Sequence, residues 1–260
     1  MTDSRAPYAA LIGIGILAGF ASGLFGVGGG VLIVPGLVML AHFDHKRATG
    51  TSLVAIVPIA ITAMVSYLVA GNVVWAVAVP IAVGMIVGGA IGSWLLARLP
   101  TTVIVWAFIV VLVVAAVQLL LDEPVRGAPV TVGGVEILLF GLFGLVAGIV
   151  SGLVGVGGGI IIVPALQVGW GLSDLIAKGA SLVAIVPSAI ITSVQNQRRG
   201  HTDIRSGLIV GVAGAVTSVL GAWVADVIDA RVGSIVFGVF LLLVAAQMVQ
   251  KQLARRRKGA

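Results

Sequence analysis

The sequence predicts an all-α polytopic membrane protein with two homologous halves, each made of a first segment broken by glycines and three following transmembrane helices. Hydrophobic residues make up 60% of the 260 residues and charged residues only 9%, whereas a soluble domain carries about 25% charged residues. The stretch 22–30, rich in serine and glycine, recurs at 151–159, and the stretch 48–58 recurs at 177–187. Together these observations predict a duplicated membrane protein.

The two copies keep the same register at a constant offset of 129 residues. Eleven of fourteen positions are identical between 22–35 and 151–164, and nine of eleven between 48–58 and 177–187. Gly92 and Trp94 correspond to Gly221 and Trp223 at the same offset. Unrelated apolar sequences would not keep glycine, proline and serine aligned without an insertion, so we infer an internal duplication.

The first apolar segment, Tyr8–Ala41, is too long for one straight crossing. Its 34 residues would form a helix of about 51 Å, against a hydrocarbon core of about 30 Å. Each glycine inside a helix costs roughly 1 kcal/mol relative to alanine, so we expect the helix to break at Gly26–Gly30. Two forms remain open, a steeply tilted broken helix and a re-entrant hairpin.

Further apolar stretches complete each half. After a polar loop at His42–Arg47, we expect helices near residues 51–70, 74–97 and 101–121, with turns at Gly71–Asn72 and Arg98–Pro100. We divide the chain into a first repeat at 1–121, a linker at 122–134, a second repeat at 135–250 and a basic tail at 251–260.

The distribution of basic residues favours halves of opposite orientation. Cytoplasmic loops of membrane proteins are enriched in Lys and Arg, which also predicts a cytoplasmic C-terminus here. If the broken segments turn back, the halves are inverted, with 12 basic residues inside and 3 outside; parallel halves give 10 and 5. For inverted halves the inside residues are Arg5, Lys46, Arg47, Arg98, Arg198, Arg199, Arg205, Lys251, Arg255, Arg256, Arg257 and Lys258, and the outside residues are Arg126, Lys178 and Arg231.

The two glycine breaks predict a central site for a small anion. A helix that begins after each break points free N–H groups and the positive end of its dipole at the middle of the bilayer. Nearby hydroxyl groups add donors, and Lys178, which replaces Thr49 in the second copy, adds positive charge. The predicted substrate-binding residues are Ser22, Gly28, Gly29, Gly30, Thr51, Ser52, Ser151, Gly157, Gly158, Gly159, Lys178 and Ser181.

These residues also have structural interpretations. Small residues allow close packing of membrane helices, and serine often bonds the preceding turn of its own helix. For Lys178 the sequence favours the interpretation as a solvated loop residue over a role in the site.

Several other functions are not expected. The chain has no cysteine, and the His42–His45 loop is expected to be a solvated turn, so we predict no metal site and no cofactor. Gly26–Gly30 lacks the Gly-Lys-Ser/Thr end of a P-loop, and no His-Glu-Xaa-Xaa-His motif is present, so we predict no enzyme. Nucleic-acid binding is not expected, because the basic tail follows a hydrophobic segment. Glu136 and Asp226 lie near helix ends rather than at mid-span, so the sequence shows no buried carboxylate that could carry protons across the membrane.

The sequence resembles the TauE/SafE family of membrane transporters, also called the sulfite exporter or TSUP family. The resemblance covers residues 8–250 and lies in Gly26–Gly30 with Pro35, the His42–Lys46 loop leading into Ala48–Ser52, and their second copies. It implies a multi-pass protein of the bacterial inner membrane that moves sulfite, sulfoacetate or related sulfur-containing or organic anions. Lys178 and Ala180 replace Thr49 and Thr51 in the second copy, so the two copies differ there.

We therefore expect a secondary transporter of small anions that works by alternating access around the two breaks. Its expected partners are the anionic substrate, the lipid bilayer and a coupling ion, either H⁺ or Na⁺. Homo-oligomer formation, the exact substrate and the direction of transport stay open. The rival hypotheses are a passive anion channel and a membrane scaffold that transports nothing.

Overall fold

In the computed structural model, the described residues are 8–96, 101–121, 132–200 and 202–258. They are helical apart from short loops, which confirms the predicted all-α class. The helices are α1 (Tyr8–Phe25), α2 (Gly30–Leu40), α3 (His45–Val69), α4 (Trp75–Leu96), α5 (Thr101–Leu121), α6 (Gly134–Val154), α7 (Gly159–Trp170), α8 (Asp174–Arg198), α9 (Ile204–Val227) and α10 (Ala230–Lys258).

Seven of these helices are long and apolar enough to cross a membrane, namely α1, α3, α4, α6, α8, α9 and α10. The breaks fall where the sequence predicts them, between α1 and α2 and between α6 and α7. The predicted turn at Arg98–Pro100 and the linker up to residue 131 lie outside the described residues. The last helix continues to Lys258, so most of the basic tail extends α10.

The start of α3 corrects one prediction. The polar loop was expected to reach Arg47, with the next helix beginning near residue 51, but α3 begins at His45. The carboxylate of Asp44 accepts hydrogen bonds from the backbone N–H groups of Lys46 and Arg47, at 2.9 and 3.1 Å. Asp44 is therefore an N-cap, and the polar residues after it form the first turn of the helix.

Each broken segment forms a hairpin. Along α2, Gly29 lies against the carbonyl oxygen of Ala18, and Gly36, seven residues later, lies against the side chain of Ile14. Later residues of α2 therefore contact earlier residues of α1, so the two helices run in opposite directions. In the second half, the ring of Trp170 at the end of α7 lies 5.1 Å from the ring of Phe140 near the start of α6. Of the two forms left open by the sequence, the chain adopts the hairpin.

The two halves interlock through glycine-lined helix pairs. Gly15, Gly19 and Gly23 on α1 meet the backbone of α9 at Val210, Gly214 and Ser218, so the two helices run in the same direction. On α4, glycines at 84, 88 and 92 meet α6 at residues 141, 145 and 149, again in the same direction. A side chain at any of these glycines would clash with the facing backbone. Because these glycines have no side chains, helices of opposite halves can pack with their backbones in contact.

A polar contact joins the N-terminal ends of α3 and α9. Arg47 and Asp203 form a salt bridge of 2.7 Å, and the backbone N–H of Asp203 donates to Thr51 Oγ1 at 3.0 Å. Burial acts to raise the pKa of Asp203, but hydrogen bonds from Ser206 and the Arg47 guanidinium outweigh it and lower the pKa below 3.8. Because the folded state lowers this pKa, the contact stabilises the fold at neutral pH, and the contribution is lost in acid below about pH 4.

Candidate functional site

The glycines of both breaks adopt backbone conformations that other residues rarely take. Gly26, Gly28 and Gly29 have φ angles of 70°, 77° and 79°, and their second copies at 155, 157 and 158 have 74°, 91° and 80°. Side chains at such left-handed positions cost roughly 1–2 kcal/mol each. The duplicated glycines therefore allow the chain to end one helix and begin the next. Gly29 and Gly158 are the N-caps of α2 and α7.

The two breaks lie against each other in the protein interior. A Cβ placed on Gly30 would lie 2.6 Å from Cα of Val156, and one on Gly159 would lie 2.6 Å from Cα of Val27. Residues 26–30 and 155–159 are all buried. The first residue of α2 thus contacts the opposite break, and the first residue of α7 does the same, so both helix N-termini meet inside the protein.

Two serines join the breaks by a reciprocal exchange of hydrogen bonds. Ser52 Oγ lies 2.6 Å from the carbonyl oxygen of Gly155, and Ser181 Oγ lies 2.8 Å from the carbonyl oxygen of Gly26. Each serine donates to the break of the other half, and each is completely buried. In this conformation the two hydroxyl groups satisfy carbonyls that the interrupted helices leave unpaired.

The centre of the site is lined by a pair of isoleucines that the sequence arguments missed. A Cβ on Gly28 would lie 3.3 Å from both Ile56 and Ile185, and one on Gly157 would lie 3.5 Å from the same two side chains. Ile56 and Ile185 occupy equivalent positions in the two halves. The signal that could have found them is the repeated Ala-Ile-Val-Pro motif, which keeps an isoleucine at the same position of both halves.

Ser22 is a buried hydroxyl without a hydrogen-bond partner among the described residues. It is fully buried one turn before Gly26, whose N–H donates to the Ser22 carbonyl at 2.8 Å. Thr49, which packs against Gly155, also has an unpartnered buried hydroxyl. Ser151 takes the equivalent place before the second break, and its carbonyl accepts the N–H of Gly155 at 2.7 Å.

Lys178 lies at the first break but is paired. Its Nζ lies 3.0 Å from Asp174 Oδ2, and both side chains are at most 4% exposed. Lys178 therefore does not lie in a solvated loop, and its backbone and side chain pack against Gly26. Asp174 was missed, although the spacing of four residues between Asp and Lys at the start of a helix signals such a pair. The first carbons of the Lys178 side chain thus pack against the break, and its ammonium is paired with the Asp174 carboxylate.

Thr51 is the predicted site residue that the structure places away from the breaks. Its hydroxyl oxygen accepts the backbone N–H of Asp203, so it binds the start of α9 instead. Across the described ranges, no group of three or more His, Asp and Glu side chains lies together in a way that could hold a metal ion.

Apolar membrane-length helices and two broken helices that meet in the protein interior are typical of multi-pass membrane transporters. Comparison with known proteins identifies the family. The model of the family described as "Sulfite exporter TauE/SafE" matches residues 2–119 and 140–260, so the chain belongs to the TauE/SafE family.

Relatives of this chain carry transporter names. A "Probable membrane transporter protein" of Xylella fastidiosa is 29% identical over 250 residues, which is 94% of this chain and 95% of the relative. Another of the same name from Haemophilus influenzae is 27% identical over 217 residues, covering 81% and 73% of the two chains. "Probable membrane transporter protein YunE" of Bacillus subtilis is 36% identical over 117 residues, covering 44% and 43%. No solved structure matches the chain.

The serine exchange generates a stability prediction. Ser52→Ala and Ser181→Ala should each lower the free energy of unfolding by about 1–3 kcal/mol, because each leaves a buried break carbonyl without its donor. Unfolding in mixed detergent micelles with increasing dodecyl sulfate measures the loss. Ser193→Ala is the control, since that hydroxyl bonds only Ile190 within its own helix. Equal stability of the site variants and the control would contradict the exchange.

Proposed function

We propose that this protein is a secondary transporter of small anions, namely sulfite, sulfonates or related sulfur-containing or organic anions, and that it performs no catalysis. The observation that carries the proposal is the meeting of two buried helix N-termini, together with the unpartnered hydroxyl of Ser22 one turn before the first break. The family description names sulfite, which supports that anion as the first to test.

The electrostatics of the breaks favour an anion. Each helix N-terminus carries roughly half a positive charge on its unpaired N–H groups, and α2 and α7 both begin at the breaks. Ser22 adds a hydroxyl that can donate without giving up an existing hydrogen bond. Lys178 lies against Gly26 and raises the local potential, and Asp174 limits its reach.

Transport requires the breaks to separate. Gly30 and Gly159 contact the opposite break so closely that a methyl group would not fit, so an anion enters only after the breaks move apart. Because α1 packs along α9 and α4 along α6, each moving body must combine helices of both halves. Alternating access would therefore move these mixed bodies about the site, rather than one half against the other.

The directions of the helices support inverted repeats. α1 and α3 both run in the same direction as α9, since Thr51, Ala55 and Ile59 on α3 meet α9 at Gly207, Gly211 and Gly214 in ascending order. α4 follows α3 after a tight turn and returns, so α9, the copy of α4, runs opposite to it. The enrichment of Lys and Arg on the cytoplasmic side of membrane proteins supports a cytoplasmic position for the basic end of α10, and the proposal assigns the protein to the inner membrane of a bacterial-type cell.

Removing the hydroxyl of Ser22 tests the anion site. Ser22→Ala should weaken sulfite binding by roughly tenfold or more, because a hydrogen bond to a charged group is lost. Its unfolding temperature should stay equal or rise, because the wild-type hydroxyl is buried without a partner. Thermal unfolding in detergent with increasing sulfite, thiosulfate or methanesulfonate gives both values. Ser193→Ala is again the control, and unchanged sulfite affinity in Ser22→Ala would contradict the site.

A methyl group between the breaks should block transport. Gly157→Ala adds a Cβ at ordinary contact distance from Ile56 and Ile185, and Gly171→Ala adds one in open space. Both glycines have positive φ, so both variants carry a backbone cost, and their folded state is compared by thermal unfolding before uptake is measured. We expect Gly157→Ala to lose sulfite uptake in proteoliposomes while Gly171→Ala keeps it. Equal uptake by both variants would remove the breaks from the transport path.

Two equivalent loop glycines test the orientation of the halves. Gly71 and Gly200 are 129 residues apart, both have positive φ, and neither has an atom within 4 Å of its Cβ position. The chain has no cysteine, so Gly71→Cys and Gly200→Cys can each be labelled without background. Inverted halves predict periplasmic labelling at 71 and cytoplasmic labelling at 200. Labelling of both from one side would indicate parallel halves.

A further inference from the structure

A cavity of about 240 Å³ lies between the C-terminal ends of α3 and α9. Its lining includes Ser66, Tyr67, Ala70, Asn72, Trp223 and Asp226. The anion site does not account for this cavity, because a carboxylate would repel an anion.

The electrostatic character of the cavity is negative. Asp226 supplies a formal negative charge, and no basic side chain is among the described residues that line the cavity. Both helices end here, so their last carbonyl groups contribute the partial negative charge of a helix C-terminus.

The second half of the protein shows what kind of group this place accepts. At the offset of 129 residues, Ala70 corresponds to Arg199 and Ala222 of the cavity wall corresponds to Ser93. In the second half, the guanidinium of Arg199 donates to the carbonyl oxygen of Ser93. The Ser93 hydroxyl lies 2.6 Å from Gln195 Oε1, and Gln195 corresponds to Ser66. In the second half, the guanidinium of Arg199 thus occupies the place where the first half has the cavity and the carboxylate of Asp226.

We propose that this cavity is a binding site for a small monovalent inorganic cation, with Na⁺ as the ion to test and Asp226 as its counter-charge. One carboxylate balances one positive charge, which favours a monovalent ion over a divalent one. Hydroxyl, amide and carboxylate oxygens suit such a hard cation, and the volume has room for water that completes its coordination.

The position of the cavity gives the cation a role in transport, a step that rests on the proposed function. Tyr67 lines the cavity, and its hydroxyl donates to the carbonyl oxygen of Gly23 at 2.8 Å. Gly23 lies three residues before Gly26, so the Tyr67 side chain and the last turn of α1 connect the cavity to the first break. A cation here compensates the charge of an anion bound at the break, as expected for a coupling ion.

The test measures sodium binding by the full-length protein in detergent, without any substrate. NaCl replaces choline chloride at constant ionic strength and constant chloride, and the unfolding temperature is followed. Wild-type protein should be stabilised by Na⁺, and Asp226→Asn should weaken the apparent affinity by roughly tenfold or more. Asp229→Asn is the matched control, because it removes a nearby carboxylate while its side-chain oxygen can still accept from Arg231 and Val232 N–H groups.

A second variant copies the arrangement of the other half. Ala70→Arg should abolish the response to Na⁺ and keep the unfolding temperature in choline chloride at least equal to that of the wild type. Equilibrium dialysis with radioactive sodium should show bound Na⁺ in the wild type and its loss in Ala70→Arg, which keeps the test decisive if Asp226→Asn fails to fold. A wild-type protein that responds equally to Na⁺ and choline, or only to pH, would overturn the proposal. So would an unchanged sodium response in either cavity variant.

Sulfite binding measured in choline chloride separates the two proposals. If sulfite stabilises the protein while Na⁺ does not, the cation site fails and the anion transporter stands. If Na⁺ stabilises the protein through Asp226 while no sulfur-containing anion binds, the cation site stands and the assignment of the breaks fails.

Discussion

Where a helix is interrupted inside a membrane, its backbone N–H and C=O groups need hydrogen-bond partners, and this constraint shapes the whole protein. A helix that stops at mid-depth leaves carbonyl and N–H groups that lipid cannot bond, and each unpaired group costs several kcal/mol. Here the carbonyl groups of Gly26 and Gly155 accept hydrogen bonds from Ser181 and Ser52 of the opposite halves. The N–H groups that begin α2 and α7 have no equivalent side-chain cap. This imbalance between satisfied acceptors and available donors is the physical basis of the proposed preference for negative charge.

Close helix packing delivers those serines to the breaks. Because glycines line the contacts of α1 with α9 and of α4 with α6, the helix backbones of opposite halves are in direct contact. α3 and α8, which carry Ser52 and Ser181, are held against the breaks by these interlocked pairs. Small residues in this protein therefore have two separate functions. Those on straight helices allow packing, and those with positive φ allow the chain to turn back.

The sequence predicted the architecture well because the duplication repeats its informative residues. The positions of the breaks, the all-α class and the main helices follow from glycine and apolar length. Apolar length alone could not choose between a tilted helix and a hairpin, because 34 apolar residues fit both, and only the distribution of basic residues favoured segments that turn back. It placed the start of α3 too late, since the N-cap Asp44 and the residues after it look like an ordinary polar loop.

The site was predicted less completely than the fold. The pairing of the breaks follows from symmetry, but which hydroxyl groups are free depends on contacts between helices far apart in sequence. Ser52, Ser181 and Thr51 are bonded to backbone groups in the other half, and Ser22 is not bonded. Asp174 was overlooked because a polar residue at a helix start is usually solvated, whereas here it is buried with Lys178.

The reciprocal serine bonds also bear on how such a chain could have arisen. A half-length polypeptide ending after its fifth helix would have a broken helix whose carbonyl could be bonded only by the serine of a second copy. Two such copies related by a two-fold axis would reproduce every bond across the centre of this molecule. Fusion of two such copies would remove the requirement for identity, and the two halves indeed differ at positions such as Thr49 and Lys178, or Ala70 and Arg199.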